Sequence, residues 1–333
     1  MFVLVGYEGL KSFEAQSTMQ GCKGSDGVMS NYELFVSQLN VFGGVQKPIR
    51  KADYVVLGVP FDVTSSYRSG ARFAPNAIRQ ASLNLESYSF RSGVDFEDLS
   101  VHDLGDLHVS TAPSKTLNTL KLVMEDIANM DKLFVVLGGE HTVTLGVMNG
   151  LGEKAEKTAV VSFDAHLDLR EEFLELKLSH TTFMRLINEE VKPAKIIEVG
   201  TRAVCKEELA YAEQVGIEFF TSQQIREEGA VRITQMLKEK LAEYERIYVT
   251  VDMDVLDPAF APAVQNPEPE GIETRTLLDI VCGLCDKRVV GFDVVEVAPN
   301  YDQGVSAVQA AKVVFEVLCA LEKSRKGQSK WKL

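Results

Sequence analysis

Cysteine is scarce and scattered in this chain. Cys22, Cys205, Cys282, Cys285 and Cys319 form an odd set without repeated spacing, which argues against a disulfide framework and for a reducing compartment, the cytoplasm. No apolar run reaches the ~18 residues that a membrane crossing takes. The opening stretch, MFVLVGYEGLKSFE, lacks the basic start and long apolar run of a signal peptide. Basic charge is also short: 35 Lys and Arg stand against 48 Asp and Glu, a net charge of −13. Phosphate contacts need clustered Lys and Arg, so no nucleic-acid partner is expected. The one basic run, residues 323–332 (KSRKGQSKWK), reads as a frayed tail. A negative field favours a small cationic partner, over a short range at physiological salt.

Several motifs are missing as well. No GxxxxGK[ST] or GxGxxG accompanies Gly138 and Gly139, so these are not a phosphate loop, and no G-x-S-x-G elbow offers a nucleophilic serine. The CxxC at Cys282 and Cys285 has no second pair to complete a zinc site, and it lies in an amphipathic helical pattern as buried small hydrophobes. Residues 252–263 suggest a calcium loop but lack Gly at the sixth position and have Ala263 at the twelfth. Asp257, before Pro258, reads as a turn residue.

What remains is a folded chain with a substantial core: 45% of its residues are hydrophobic and mean hydropathy is −0.02. Strand patterns fall at 54–59, 133–137, 158–163, 195–199, 216–220, 246–251 and 288–294. Helical patterns fall at 74–88, 115–128, 143–151, 181–190, 206–214, 231–244, 274–285 and 305–321. This alternation predicts an α/β fold, a mainly parallel sheet covered on both faces. With no repeat, linker or composition break, residues 51–322 read as one domain between an arm at 1–50 of open role and a basic tail at 323–333.

Ligand crevices in such sheets lie beyond the carboxyl ends of strands, and three predicted strands end in chemistry. Residues 158–163 (TAVVSF) run into Asp164, His166 and Asp168, spaced by two and therefore on one face of an extended backbone. Residues 248–251 (YVTV) run into Asp252 and Asp254, and residues 133–137 (LFVVL) into Gly138-Gly139-Glu140-His141. Such clustered negative charge needs a positive partner. A divalent metal supplies it most simply; pairing with Arg or Lys is the alternative. Carboxylates mixed with imidazole suit Mn²⁺ and its neighbours.

There are five histidines. His141 and His166 belong to the ligand set. His180, just before a predicted helix, either carries a proton near neutral pH or caps the helix. His102 and His108 flank Asp103 and Asp106 and read as structural.

Taken together, the motifs at 138–141 (GGEH), 164–168 (DAHLD), 179–180 (SH) and 252–258 (DMDVLDP) resemble the ureohydrolase superfamily of arginases and agmatinases. Residues 58–75 and 292–297 (FDVVEV) also look like elements of that family, and the likeness runs from about Asp53 to Leu321. DAHLDLR, Met184-Arg185 near the SH pair, and 266–269 (NPEP) are similar to archaeal-type agmatinases. The resemblance implies a three-layer arginase-like fold and two Mn²⁺ per chain. His141, Asp164, Asp168 and Asp252 would hold one ion and His166, Asp164, Asp252 and Asp254 the other. Four carboxylates then balance two divalent ions, which lower the pKa of a shared water.

By the same resemblance, Asp254 holds the proton of the nucleophile, Glu296 pairs with a guanidinium, and His180 serves as general acid to the leaving amine. The implied reaction cleaves a guanidino group to urea and an amine, most simply agmatine to putrescine. The loop at 169–179 (LREEFLELKLS) offers few donors for an α-carboxylate, apart from Arg170. Its Glu171, Glu172 and Glu175 favour a small guanidino substrate with a cationic far end. Thr181 stands where many relatives have Gly, and Gln265 stands in a loop that is often Gly-rich. Aminopropylagmatine, guanidinobutyrate, arginine and formiminoglutamate are the alternative substrates. A single-zinc deacetylase on a related fold does not need this full ligand set, and a non-catalytic homologue would have lost part of it. Relatives commonly form trimers or hexamers, so a homo-oligomer is expected.

Overall fold

A computed structural model describes residues 30–37 and 40–326. Its strands are β1 (Val36–Ser37), β2 (Tyr54–Gly58), β3 (Tyr88–Ser89), β4 (Val94–Asp95), β5 (Val101–Leu107), β6 (Leu133–Leu137), β7 (Thr158–Phe163), β8 (Lys195–Thr201), β9 (Glu218–Thr221), β10 (Arg246–Asp252) and β11 (Val289–Val295). Nine of them form one sheet in the order β1-β5-β2-β6-β11-β10-β7-β8-β9, and β3 and β4 form a small hairpin. Every pairing in the large sheet is parallel except that of the edge strand β1 with β5.

The helices are α1 (Asn31–Phe35), α2 (Ala74–Ser82), α3 (Pro113–Ala128), α4 (Val143–Gly150), α5 (Phe183–Leu186), α6 (Lys206–Val215), α7 (Ser222–Lys240), α8 (Thr274–Leu284) and α9 (Val305–Lys326). Strand side chains alternate between two cores. Val135, Val161 and Val249 pack with α2, α7, α8 and α9, whereas Phe134, Val160 and Tyr248 pack with α3, α4, α5 and α6. The result is the three-layer α/β architecture that the resemblance implies, with strands apolar on both faces because both are covered.

The structure departs from the sequence reading in places. Strand β5 (VHDLGDL) is too polar to read as a core strand, yet six of its seven residues are buried. Its partner is Arg79 of α2, fully buried, whose guanidinium bonds both Asp103 oxygens at 2.8 and 2.9 Å and Asp106 at 2.5 Å. A buried ion pair with its hydrogen bonds complete lets charged residues occupy a central strand. His102 and His108 serve beside it, His102 Nδ1 lying 2.7 Å from Lys47 O and His108 Nε2 2.5 Å from Ser37 Oγ.

The helix expected at 74–88 ends at Ser82 because the chain turns into the β3–β4 hairpin. Helix α7 begins before the expected 231. Gly229, at φ 79°, interrupts it, and Thr221 Oγ1 caps the added segment by accepting from Gln224 N at 3.1 Å. Cys282 and Cys285 are half-buried against the core, and burial pushes the Cys282 thiol up to about 12. Helix α9 runs through Lys326, which pairs with Glu322 at 2.7 Å and Asp53 at 3.1 Å, so the basic tail starts as ordered helix. Residues 327–333, and of the N-terminal arm residues 1–29 and 38–39, lie outside the described residues. No described helix is long and apolar enough to cross a membrane.

Candidate active site

Register brings the chemistry together. Strands β6, β11, β10 and β7 are neighbours, with Leu137 opposite Val294, Asp252 opposite Val295, and Val251 opposite Phe163. The chain therefore leaves all four strands at one level, where His141, Glu296, Asp252, Asp254 and Asp164 follow within a few residues. Gly139 is needed for this approach, since a Cβ there would lie 1.8 Å from the Phe61 carbonyl oxygen.

Two groups of ligand-type atoms result: His141, Asp164 and Asp252, and Asp164, His166 and Asp254, each with its atoms within 4.8 Å of one another. His141 Nδ1 lies 3.0 Å from Asp164 Oδ2, 3.2 Å from Asp252 Oδ2 and 3.7 Å from Asp168 Oδ2. His166 Nδ1 lies 3.0 Å from Asp254 Oδ2 and 3.4 Å from Asp164 Oδ1. Thus Asp164 belongs to both groups, and Asp168 sits beside the first at a left-handed φ of 51°. The far side of the His141 ring is fixed: Nε2 is 2.7 Å from Thr250 Oγ1, which bonds Asp293, itself bonded by Tyr248 at 2.6 Å and Thr144 at 2.8 Å. That support aims Nδ1 at the carboxylates, where, though buried, it makes no hydrogen bond.

These contacts are what a cation between the groups requires. Without one, burial first and neighbouring charge second push Asp168 and Asp252 well above the usual carboxylate range. His141 rises to about 9; burial opposes this, but Asp164, Asp168 and Asp293 outweigh it. Imidazole and carboxylate donors with no cysteine in the cleft lining fit a hard or borderline divalent ion.

The remaining expected residues face the same cleft, of about 380 Å³. Glu296 is buried, at a left-handed φ of 69°. Its Oε1 accepts the His141 main-chain N–H at 2.5 Å, and its Oε2 has no partner. His180 does not cap α5, whose first flanking residue is Thr182. Its ring instead lies 3.0 Å from Ser66 Oγ through Nε2 and 3.3 Å from Thr64 Oγ1 through Nδ1. Burial, then the charge of His166, pushes it down to about 4, so it is neutral at pH 7.

The acidic loop is arranged differently from the sequence reading. Arg170 and Phe173 line the cleft, but Glu171, Glu172 and Glu175 do not; Glu171 lies 3.7 Å from Arg185. The outer wall carries Glu208 and Glu268 instead. Glu208 is buried and accepts the N–H groups of Leu169 and Cys205, and its Oε2 lies 4.0 Å from Arg170 Nε. Glu268 Oε1 lies 4.0 Å from His166 Nε2. Sequence reasoning also passed over Arg202, whose Nη2 donates to the carbonyls of Asp254 at 2.6 Å and Glu268 at 2.8 Å, locking the outer wall to the metal-type ligands. Glu140, which stands in the sequence only as a member of the GGEH motif, is buried and accepts three hydrogen bonds. Gln265 donates to Ser65 Oγ at 2.6 Å, and Asp257 accepts from Ala259 and Gly271 N–H in its turn.

Comparison with known proteins agrees with this geometry. The arginase family matches residues 52–320. The chain is 35% identical over 276 residues to an agmatinase of Pyrococcus horikoshii, covering 81% of this chain and 92% of that one. It is 35% identical over 278 residues to the N(1)-aminopropylagmatine ureohydrolase of Thermococcus kodakarensis, covering 82% and 92%. The crystal structure of the agmatine ureohydrolase of Thermoplasma volcanium has a TM-score of 0.79 at 34% identity, covering 85% of this chain and 94% of that one. This chain belongs to the arginase family and is a ureohydrolase.

Proposed function

We propose that the enzyme is a binuclear-manganese amidinohydrolase that cleaves agmatine to putrescine and urea. The observation that carries this reading is Glu296: buried in the cleft beside both His/Asp groups, with one oxygen held and the other without a partner. A guanidinium offers paired N–H donors and a charge to that free oxygen. His141, Asp164, Asp168 and Asp252 would hold one ion, and His166, Asp164, Asp252 and Asp254 the other. Bound there, the two ions supply water activated at neutral pH and charge to offset the carboxylates.

The chain's own groups do the rest. Glu296 orients the guanidinium carbon toward the ligand cluster. Asp254, whose Oδ1 already accepts the Ala165 N–H at 3.1 Å, holds the proton of the attacking water. His180, neutral at rest, delivers a proton to the departing amine after taking one up. Glu268, whose carboxylate oxygen is part-exposed at the outer wall, supports a substrate with a cationic far end, and the agmatinase and aminopropylagmatine relatives support the same class. Arg170 does not favour a substrate carboxylate strongly, because it lies against Glu208 and over the Phe173 ring at 5.0 Å. We further read residues 51–322 as the catalytic domain of a cytoplasmic homo-oligomer, a trimer or hexamer. The free thiols of Cys205, Cys282, Cys285 and Cys319 support the reducing compartment.

The test is urea release by Mn²⁺-loaded protein, side by side on agmatine, aminopropylagmatine, arginine and guanidinobutyrate. The expected result is a clear kcat/KM preference for agmatine. Preference for arginine or guanidinobutyrate would overturn the substrate assignment.

A further inference from the structure

His180 has two ring nitrogens, and only one of them can serve the cleft. Which one carries the resting proton is settled by residues outside the ligand set. Glu140 is fully buried; burial pushes its carboxyl up while the donors of Thr142 and Thr64 pull it back, and in its ionised form it only accepts. Its Oε2 takes the Thr64 main-chain N–H at 2.7 Å, and its Oε1 takes the hydroxyls of Thr64 at 2.7 Å and Thr142 at 2.6 Å.

The Thr64 hydroxyl has one proton, and Glu140 takes it. The Thr64 oxygen is then left with acceptor capacity only, and two groups of His180 lie on it: the main-chain N–H at 3.0 Å and ring Nδ1 at 3.3 Å. With Glu140 ionised, Nδ1 is then the protonated nitrogen. Nε2 is left with its lone pair, 3.0 Å from Ser66 Oγ, which lines the cleft and donates to it.

We propose that Glu140 and Thr64 are positioning residues that fix His180 in the Nδ1–H tautomer, so that Nε2 faces the cleft as a proton acceptor through Ser66. The inference rests on the role given to His180 above, but the tautomer itself does not. In this arrangement the proton that Asp254 holds from the attacking water is passed on to Nε2 by way of the Ser66 hydroxyl, and the same nitrogen later returns it to the leaving amine, with no net change at His180. The opposite tautomer presents N–H to the cleft, and its only lone pair, on Nδ1, faces Thr64 instead.

Glu140→Gln gives a directed test. The Thr64 main-chain N–H is an obligate donor, so the new amide turns its oxygen to it and its NH₂ to the two hydroxyls. The Thr64 hydroxyl then accepts from the amide and turns its own proton onto His180 Nδ1, which forces the Nε2–H tautomer.

The measurement is ¹⁵N NMR of ring nitrogens in histidine-labelled, Mg²⁺-loaded protein, with His180 assigned by its loss in His180→Gln. The wild type is expected to show Nδ1 protonated, E140Q to show Nε2 protonated, and Thr64→Ser to match the wild type. With agmatine and Mn²⁺, kcat of E140Q should fall by on the order of 10²-fold or more while KM moves little. Thr64→Val should lose turnover that T64S recovers. A wild-type spectrum with Nε2 protonated, or an E140Q spectrum unchanged from wild type, overturns the proposal. If E140Q does not fold, the same decision falls to T64V, which must lose the fixed tautomer. Absence of urea from wild-type enzyme would strike the function proposed above and leave the spectra to judge the tautomer separately.

Discussion

The main-chain N–H of His141 donates to Glu296 Oε1 at 2.5 Å, joining the ends of β6 and β11 across the floor of the cleft. A residue aimed at the carboxylate cluster and a residue left free to pair with a cation are thus set at a fixed spacing. Glu296→Gln keeps an oxygen for that N–H but removes the charge. Its kcat/KM for agmatine should fall by on the order of 10²-fold, a loss of about 3 kcal/mol of transition-state stabilisation. Metal content measured on the same sample should be unchanged, and wild-type kinetics would dismiss the guanidinium role.

Asp252 Oδ2 faces His141 Nδ1 at 3.2 Å within the first ligand group. Asp252→Ala should therefore lower bound Mn²⁺ well below two per chain by elemental analysis. It should also abolish most of the rise in Tm that Mn²⁺ gives the wild type, because ligand binding stabilises only as far as it is tight. Unchanged stoichiometry would refute its place among the ligands.

His180→Ala separates proton transfer from metal binding. His180 hydrogen-bonds Thr64 and Ser66 through its ring and, among the described residues, has no hydrogen bond to either ligand group. Metal content should stay at the wild-type level while kcat drops on the order of 10²-fold or more. Full turnover would reduce His180 to a packing residue.

The fold and the three ligand-bearing segments of the cleft were legible in the sequence for one physical reason, whereas the roles of His180 and Glu296 entered only through the family resemblance. Parallel strands buried on both faces are apolar throughout, so polar residues stand out where such strands end, as they do after residues 137, 163 and 251. The rest depended on partners distant in the chain. Strand β5 looked too charged because Arg79, which neutralises Asp103 and Asp106, lies on another element. Glu140 and Thr64 are 76 residues apart, and the backbone clamp of Arg202 uses carbonyls, which leave no trace in sequence. The Glu171, Glu172 and Glu175 run was visible but misleading, since clustering along a loop does not say which side chains turn inward.

Metal-free protein should respond to pH in a direction set by the cluster. Asp168 and Asp252 have folded pKa values raised above the ~4 of an unfolded carboxyl. As pH rises past about 4, the unfolded chain releases those protons first, so stability falls. His141, raised to about 9, contributes stability that is fully present below an unfolded pKa of ~6.5 and is lost as pH rises through 9. These effects run the same way; His180, pushed down to about 4, opposes them below its unfolded pKa of ~6.5 but is one group against three. Thermal melts of metal-free protein should show a lower Tm at pH 8.5 than at pH 5.5, with the Mn²⁺-induced rise larger at the higher pH. A flat profile would contradict the charge assignment.

Gly139→Ala should cost about 3 kcal/mol in stability, since its Cβ would meet the main chain of Phe61 and no flexible side chain can yield. Chemical denaturation would register this as a shift in midpoint.

The most direct test of the account as a whole is a titration of Mn²⁺ into metal-free protein with urea release from agmatine as the readout. Activity should rise from background and level off at two Mn²⁺ per chain, and putrescine should form in equal amount with urea. A plateau at one ion, or no urea with two ions bound, would contradict the binuclear amidinohydrolase assigned to this cleft.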